Sequence, residues 1–156
     1  MTGRIEARLA ELGITLPTAM PPIANYVPFV VTGNLVVVSG QVPAQDGRIA
    51  VTGKVGEAVT IEQGQAAARL CLLNVLTHLR AACGGSLDRV TQVVRLGGFV
   101  AAGPGFSQHA VVMNGASDLA VAVFGDAGRH ARSTIGVSAL PGDAAVEVEG
   151  MFAVAL

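Results

Sequence analysis

Hydrophobic residues recur at helical spacing in three segments of the chain. Ile5, Leu9 and Leu12 define a short amphipathic helix, with Thr2 as a possible cap and Gly13 at its end. Thr60 and Gln63 have the spacing of a capping box, and the apolar positions after them share one helical face: Ile61, Ala68, Leu72, Val75, Leu76 and Leu79. The segment 110–128 predicts the other long amphipathic helix.

Strand patterns occupy most of the remaining chain. The segment 26–43 contains two β-rich runs joined at Thr32-Gly33-Asn34, which predicts a hairpin, and Pro28 places the first run at an edge or a bulge. The segment 88–101 predicts a strand in which Gly97 and Gly98 mark a bulge or a close backbone approach. The segments 131–140 and 144–156 predict the last two strands, separated by a turn around Pro141.

The order helix, β, β, α, β, α, β, β predicts a two-layer α+β domain with a mixed sheet and two helices on one face. Residues 1–156 form one domain, of which 1–22 are an N-terminal helix and a proline-rich linker. The mean hydropathy is +0.57 and only 13% of residues are charged. A sheet face without helices and so little charge predict that other subunits cover a large apolar surface.

Charge and composition exclude several classes of function. The net charge of −1 and the absence of a basic block argue against nucleic-acid binding. The apolar runs are too interrupted for a membrane span, and the N-terminus has no signal-peptide pattern, so we expect a cytoplasmic protein with no membrane partner. No histidine and cysteine spacing suits a metal. Cys71 and Cys83 lie on one predicted helix, roughly 18 Å apart at a ~1.5 Å rise, too far for a disulfide.

Two glutamates alternate in the last predicted strand. Glu147 and Glu149 share one face, while Val146 and Val148 point to the other, which we assign to the core. The glutamates therefore face the predicted subunit interface, where an unpaired carboxylate is costly. Arg132 lies on the preceding strand, which a hairpin would place beside them. The residues leave two interpretations open, a structural ion pair at a subunit contact or part of a binding site.

Three motifs resemble the Rid (YjgF-type) family of reactive-intermediate deaminases. They are "HARSTIGVSALPGDAAVEVEG" from His130 to Gly150, "VVVSGQVP" from Val36 to Pro43, and "VMNGAS" from Val112 to Ser117. The resemblance covers about Tyr26 to Val154, and the N-terminal helix is similar to a longer-chain branch of the family. It implies a chorismate-mutase-like fold, a homotrimer and clefts at the subunit interfaces.

The resemblance also implies an activity, the cofactor-independent hydrolysis of small enamines and imines, such as 2-aminoacrylate, to 2-keto acids and ammonia. Arg132 would bind the substrate carboxylate through two parallel hydrogen bonds, and Glu147 would position or activate the attacking water. The pocket would be lined by the family's matching positions: Tyr26, Ser39, Gly40, Asn114 and Thr134.

Thr134 departs from the family pattern, which often has cysteine there, so the same residues leave a second function open. The alternative is a non-catalytic trimer that binds small carboxylate metabolites. His130 shares the predicted strand face of Arg132 and is either a further pocket residue or a surface histidine. His78, inside the long helix, is read as packed or solvated.

Overall fold

The computed structural model describes residues 3–22 and 24–156. Its N-terminal helix, α1, spans Arg4–Glu11 and buries Ile5 and Leu9, as predicted. The carboxylate of Asp88 accepts hydrogen bonds from the backbone nitrogens of Arg4 and Ile5, at 2.8 and 2.7 Å. This side chain from a distant turn therefore caps the helix, and the predicted cap Thr2 lies outside the described residues.

The linker after α1 has no regular secondary structure, as its prolines predict. The hydroxyl of Thr77 donates to the carbonyl oxygen of Pro17 at 2.9 Å, which fixes the linker against the long helix. The hydrogen bond holds this part of the linker near the buried face of the domain, so its later residues can line a cavity.

A five-stranded sheet forms one layer of the domain. Its strands stand in the order β1-β2-β7-β5-β6, and their ranges are Phe29–Thr32 (β1), Leu35–Gln41 (β2), Val90–Ala101 (β5), Ala131–Val137 (β6) and Val146–Val154 (β7). The hairpin at Gly33-Asn34 and the edge position of β1 are confirmed. A second hairpin, of Ala44–Gln45 (β3) and Arg48–Ile49 (β4), lies in a segment for which the sequence predicted no strands.

The predicted pairing of the last two strands is wrong. Strand β6 pairs parallel with β5 at one edge, whereas β7 runs antiparallel between β2 and β5. The helix between β5 and β6 makes a crossover that returns the chain parallel to β5, and β6 then occupies the edge. The short 3₁₀ turn Pro141–Asp143 leads away from β6. Two apolar runs around such a turn look the same in sequence whether or not they pair.

Two helices cover one face of the sheet. Helix α2 spans Ile61–Ala82, and both hydrogen bonds of its predicted capping box are present between Thr60 and Gln63. Helix α3 spans His109–Phe124 and packs on α2. A Cβ atom added to Gly115 would collide with the backbone oxygen of Gln65, so glycine permits this close helix contact. The predicted two-layer α+β arrangement is confirmed.

Helix α3 and the turn after it, His109–Gly128, are apolar enough to cross a membrane by length and composition, with a hydropathy of 1.2. In the structure this helix lies over the sheet, and its buried side chains belong to the common core: Val112, Met113, Ala116, Leu119, Ala120, Val123 and Phe124. Its apolar composition is thus explained by burial within the domain.

The two cysteines are both buried and unpaired, as the sequence predicted. Cys71 lies within α2, and Cys83 follows its last residue. Burial raises the pKa of the Cys71 thiol well above its usual range, and a smaller contribution comes from the negative charge of Glu147. Cys71 is therefore a packing residue with little thiolate character.

Candidate functional site

Glu147 faces a small cavity near the start of β7. The cavity holds about 70 Å³ and is also lined by Tyr26 and Gly40, two of the predicted pocket residues. A Cβ atom on Gly40 would contact the Oε1 atom of Glu147. Glycine thus leaves room for the carboxylate to lie beside β2, and Tyr26, Gly40 and Glu147 line one cavity.

The walls of the Glu147 cavity come from several parts of the chain. The linker contributes Met20, Pro21 and Pro22, and the turn before β7 contributes Pro141. The register between β2 and β7 shifts between Val38 and Gln41, so the sheet is irregular where the cavity lies. Within one chain these walls leave a small space beside the carboxylate.

Ser39, another predicted pocket residue, is bonded to the backbone of the segment before β1. Its hydroxyl donates to the carbonyl oxygen of Val27 at 2.7 Å, and it does not line the Glu147 cavity. The hydrogen bond fixes the segment that carries Tyr26 to strand β2. In this chain Ser39 therefore supports the position of Tyr26.

The electrostatics of Glu147 favour proton transfer. Burial raises the pKa of the Glu147 carboxyl above its ordinary value, and the nearby charge of Glu149 raises it further. Glu149 lies 3.6 Å from the guanidinium of Arg95, with both side chains partly exposed. A half-buried carboxylate with a raised pKa can accept a proton from water and return it within one reaction.

Arg132 lies apart from both glutamates, so the expectation that a hairpin places it beside them within one chain is wrong. The register pairs Arg132 with Leu96 of β5, and its Nη1 atom donates to Asn114 Oδ1 on α3 at 2.8 Å. The guanidinium therefore points toward the helices, whereas Glu147 and Glu149 point to the opposite face of the sheet. The arginine and asparagine of the family pattern are in contact, as members of one site would be.

The pocket beside Arg132 is wider than the Glu147 cavity. It holds about 320 Å³, opens to solvent and is lined mainly by polar side chains: Asn114, Ser117, Asp118, Val121, Arg129, His130 and Arg132. Its cationic groups suit a small anion. Both His130 and Arg132 reach Ser117, so the predicted common face of these two residues is confirmed.

Thr134 follows Arg132 by two residues and shares its strand face. It is paired with Gly98 of β5, and a Cβ on Gly98 would collide with Met113 of α3. The Oγ1 atom of Thr134 is buried and has no hydrogen-bond partner in the described part of the chain. Thr134 therefore lies under α3, and its hydroxyl is not presented to the Arg132 pocket.

His78 is a candidate functional residue that the sequence reasoning missed. It is only 5% exposed and lines the same cavity as Glu147. Burial lowers the pKa of the imidazole below its ordinary value, which favours the neutral ring. The sequence offered one signal, the polar series Asn74, Thr77 and His78 within the otherwise apolar segment 71–79. Such a series is informative because buried polar groups need partners or a cavity.

The described residues, 3–22 and 24–156, contain no group of three or more His, Cys, Asp and Glu side chains that could hold a metal ion. The two cavities present carboxylate, guanidinium, imidazole, amide and hydroxyl groups. Such groups can bind a carboxylate, transfer protons and orient water.

A family model described as "YjgF/chorismate_mutase-like, putative endoribonuclease" matches residues 6–153. The chain therefore belongs to the YjgF/chorismate-mutase-like family, and the resemblance inferred from the three motifs is confirmed. A curated relative, Protein TCP17 of Trypanosoma cruzi, is 48% identical over 151 residues, which are 96% of this chain and 94% of that protein.

Solved structures agree with this assignment. Protein Atu1372 of Agrobacterium tumefaciens, described as of unknown function, is 47% identical with a TM-score of 0.90, covering 97% of this chain and 94% of that one. Escherichia coli TdcF, solved with bound serine, is 27% identical with a TM-score of 0.61, covering 90% and 93%. Family membership supports a role in small-molecule deamination or an endoribonuclease-like role.

Proposed function

We propose that the protein hydrolyses small enamines and imines that carry a carboxylate, forming 2-keto acids and ammonia without a cofactor. The observation that carries this proposal is Glu147, a half-buried carboxylate with a raised pKa in a narrow cavity beside Gly40 and Tyr26. The serine bound to TdcF supports a ligand with a carboxylate and a nitrogen on the next carbon.

The proposed reaction begins with proton transfer to Glu147. The carboxylate accepts a proton from water as the water oxygen bonds to the imine carbon and the C=N electron pair moves to nitrogen, and Glu147 then gives that proton to the nitrogen. The carboxylate next takes the hydroxyl proton of the resulting carbinolamine and passes it to the amine, so the C–N bond breaks and ammonia leaves as the carbonyl forms. The sum is imine plus water to keto acid plus ammonia.

The substrate carboxylate is assigned to Arg132, whose fork of donors matches two carboxylate oxygens. Because Arg132 and Glu147 lie on opposite faces of the sheet, the proposed site combines Arg132 and Asn114 of one chain with Tyr26, Gly40 and Glu147 of another. The homotrimer implied by the family resemblance would supply this contact. Large apolar side chains exposed on the sheet support it, including Ile135 at 53% and Met151 at 36%.

A coupled assay tests the proposal. Threonine or serine dehydratase generates the imine in situ, and the release of the 2-keto acid is followed with and without the protein. Acceleration that is lost in Glu147→Gln supports hydrolysis. Tight binding of 2-oxobutanoate with no acceleration over buffer would instead establish the alternative function, a carboxylate-binding protein without catalysis. RNA incubated under the same conditions should stay intact, since the chain has a net charge of −1 and no basic block in its sequence.

A further inference from the structure

A chain of hydrogen bonds joins Arg132 to the end of α3. The Nη1 atom of Arg132 lies 3.1 Å from the Oγ atom of Ser117. Ser117 Oγ is also 2.9 Å from the Nε2 atom of His130, and the Nδ1 atom of the same ring is 2.6 Å from the carbonyl oxygen of Gly128. The sequence analysis assigned no role to Ser117, and it left His130 as either a further pocket residue or a surface histidine.

The two ends of this chain fix the direction of its outer bonds, and the neutral form of the His130 ring then sets the direction of the bond between them. A guanidinium has only donors, so Ser117 Oγ accepts from Arg132. A carbonyl only accepts, so the Nδ1 atom of His130 carries a hydrogen and donates to Gly128. In the neutral ring Nε2 is then an acceptor, and the hydroxyl hydrogen of Ser117 completes the chain by pointing to it.

The same bonds decide which edge of Arg132 remains available. Both hydrogens on Nη1 are used, one by Asn114 Oδ1 and the other by Ser117 Oγ. Within residues 3–22 and 24–156, the structure records no partner for Nε or Nη2. Those two nitrogens form the side-on edge of the guanidinium, whose parallel N–H groups bind both oxygens of a carboxylate.

We propose that Ser117 and His130 are positioning residues that hold Arg132 with its Nε and Nη2 edge directed at the substrate carboxylate. The inference rests on the proposed function, because it assigns a carboxylate to that edge. A serine beside a histidine is also the arrangement of a nucleophile and its base. Here the Ser117 oxygen already accepts from a cation, which lowers its electron density, so support of Arg132 is the role that the contacts favour.

The first test measures 2-oxobutanoate binding by calorimetry to four single variants: Arg132→Ala, Ser117→Ala, Ser117→Thr and His130→Ala. Ser117→Ala and His130→Ala should each weaken binding about tenfold, the scale of one hydrogen bond to a charged group. Ser117→Thr keeps the hydroxyl and should stay within about twofold of the parent. Circular dichroism verifies folding, and alanine suits the helix that contains position 117.

Two further measurements separate positioning from general structural damage. Combining Ser117→Ala with Arg132→Ala should weaken binding no more than Arg132→Ala alone, because residues that act through one group are not additive. The methyl ester of 2-oxobutanoate, which lacks the charge, should bind the parent and Ser117→Ala equally. In ¹⁵N spectra of the parent, the His130 signals, assigned by their loss in His130→Ala, should show hydrogen on Nδ1.

Each outcome distinguishes this inference from the proposed function. Unchanged binding in Arg132→Ala would overturn the proposed function itself. Loss of binding in Arg132→Ala with full binding in both Ser117→Ala and His130→Ala would overturn only the positioning role. A parent protein whose His130 carries hydrogen on Nε2 and not on Nδ1 would also overturn it, as would a Ser117→Thr variant as weak as Ser117→Ala.

Discussion

Arg132 and Glu147 lie on opposite faces of the sheet, on strands separated by β5. Two strand spacings are roughly 10 Å, and the opposed directions of the side chains add to that distance. A substrate of a few carbon atoms would not reach both groups within one chain. The separation of Arg132 and Glu147 therefore favours a site shared between two copies of the chain over a site within one chain.

Mixed oligomers should regain activity from two inactive variants. An oligomer made only of Arg132→Ala chains, or only of Glu147→Gln chains, has no complete site. In a mixed oligomer, a site is complete where a Glu147→Gln chain supplies Arg132 and an Arg132→Ala chain supplies Glu147. Random mixing at equal amounts should restore about a quarter of parental turnover, since both neighbours are suitable in one arrangement of four. The measurement is the dehydratase-coupled assay after unfolding and refolding the mixture together. No recovery, with mixed oligomers verified by mass spectrometry, would place both residues in one chain's site.

Arg132→Lys should be nearly as damaging as Arg132→Ala. A lysine is a point charge and cannot form two parallel hydrogen bonds to a carboxylate. Losing a charge-assisted pair costs about 2–5 kcal/mol, on the order of 30-fold to several thousand-fold in affinity for 2-oxobutanoate. Arg129→Lys, at an exposed position of the same pocket, is the matched control. Full affinity in Arg132→Lys would indicate that only charge is recognised.

Glu147→Gln should lose about 10²- to 10⁴-fold in turnover without losing stability. The pKa of the folded-state carboxyl is raised above its ordinary 4.5, so ionisation of Glu147 opposes folding as the pH rises through and above that value. Removing the charge should leave the melting temperature at pH 7 unchanged or higher and flatten its decline from pH 4 upward. Glu149→Gln is the control on the same face. A clearly lower melting temperature in Glu147→Gln would mean that the charge has a stabilising partner.

His78 should make the protein less stable in mild acid. Burial lowers the pKa of His78 from 6.5, so below that pH the unfolded chain takes up a proton more readily than the folded one. The free energy of unfolding should therefore decrease as the pH falls through 6.5, and less steeply in His78→Gln. Urea titrations between pH 7.5 and 5 measure the difference, with His109→Gln as the control. Parallel pH profiles for the parent and His78→Gln would contradict the burial of a neutral ring.

Gly115→Ala should destabilise the contact between α2 and α3. The new methyl group would meet the backbone oxygen of Gln65, which cannot move without shifting the helix. Such overpacking costs about 1–3 kcal/mol, which exceeds the gain in helix propensity. Thermal unfolding measures it, and Gly103→Ala is the control, because only the flexible side chain of Glu57 lies near that position. Equal melting temperatures for the two variants would show that the helices separate easily.

Local patterns predicted the helices and the direction of the glutamates. The capping box at Thr60 and the alternation of Val146, Glu147, Val148 and Glu149 depend on residues a few positions apart. Their geometry follows from the period of a helix or a strand, so no distant part of the chain is needed to establish it. The family motifs likewise identified Arg132 and Glu147 as candidates.

The sequence by itself determined the number and type of the main elements, the capping of α2 and the face to which Glu147 points, because each depends on near neighbours. Only the tertiary structure decided that β7 lies between β2 and β5, that Arg132 contacts α3, and that His78 reaches the Glu147 cavity. An apolar strand can pair with several neighbours at similar cost, and the crossover of α3 selects among them. The separation of Arg132 from Glu147 follows from that selection, which no spacing along the chain records.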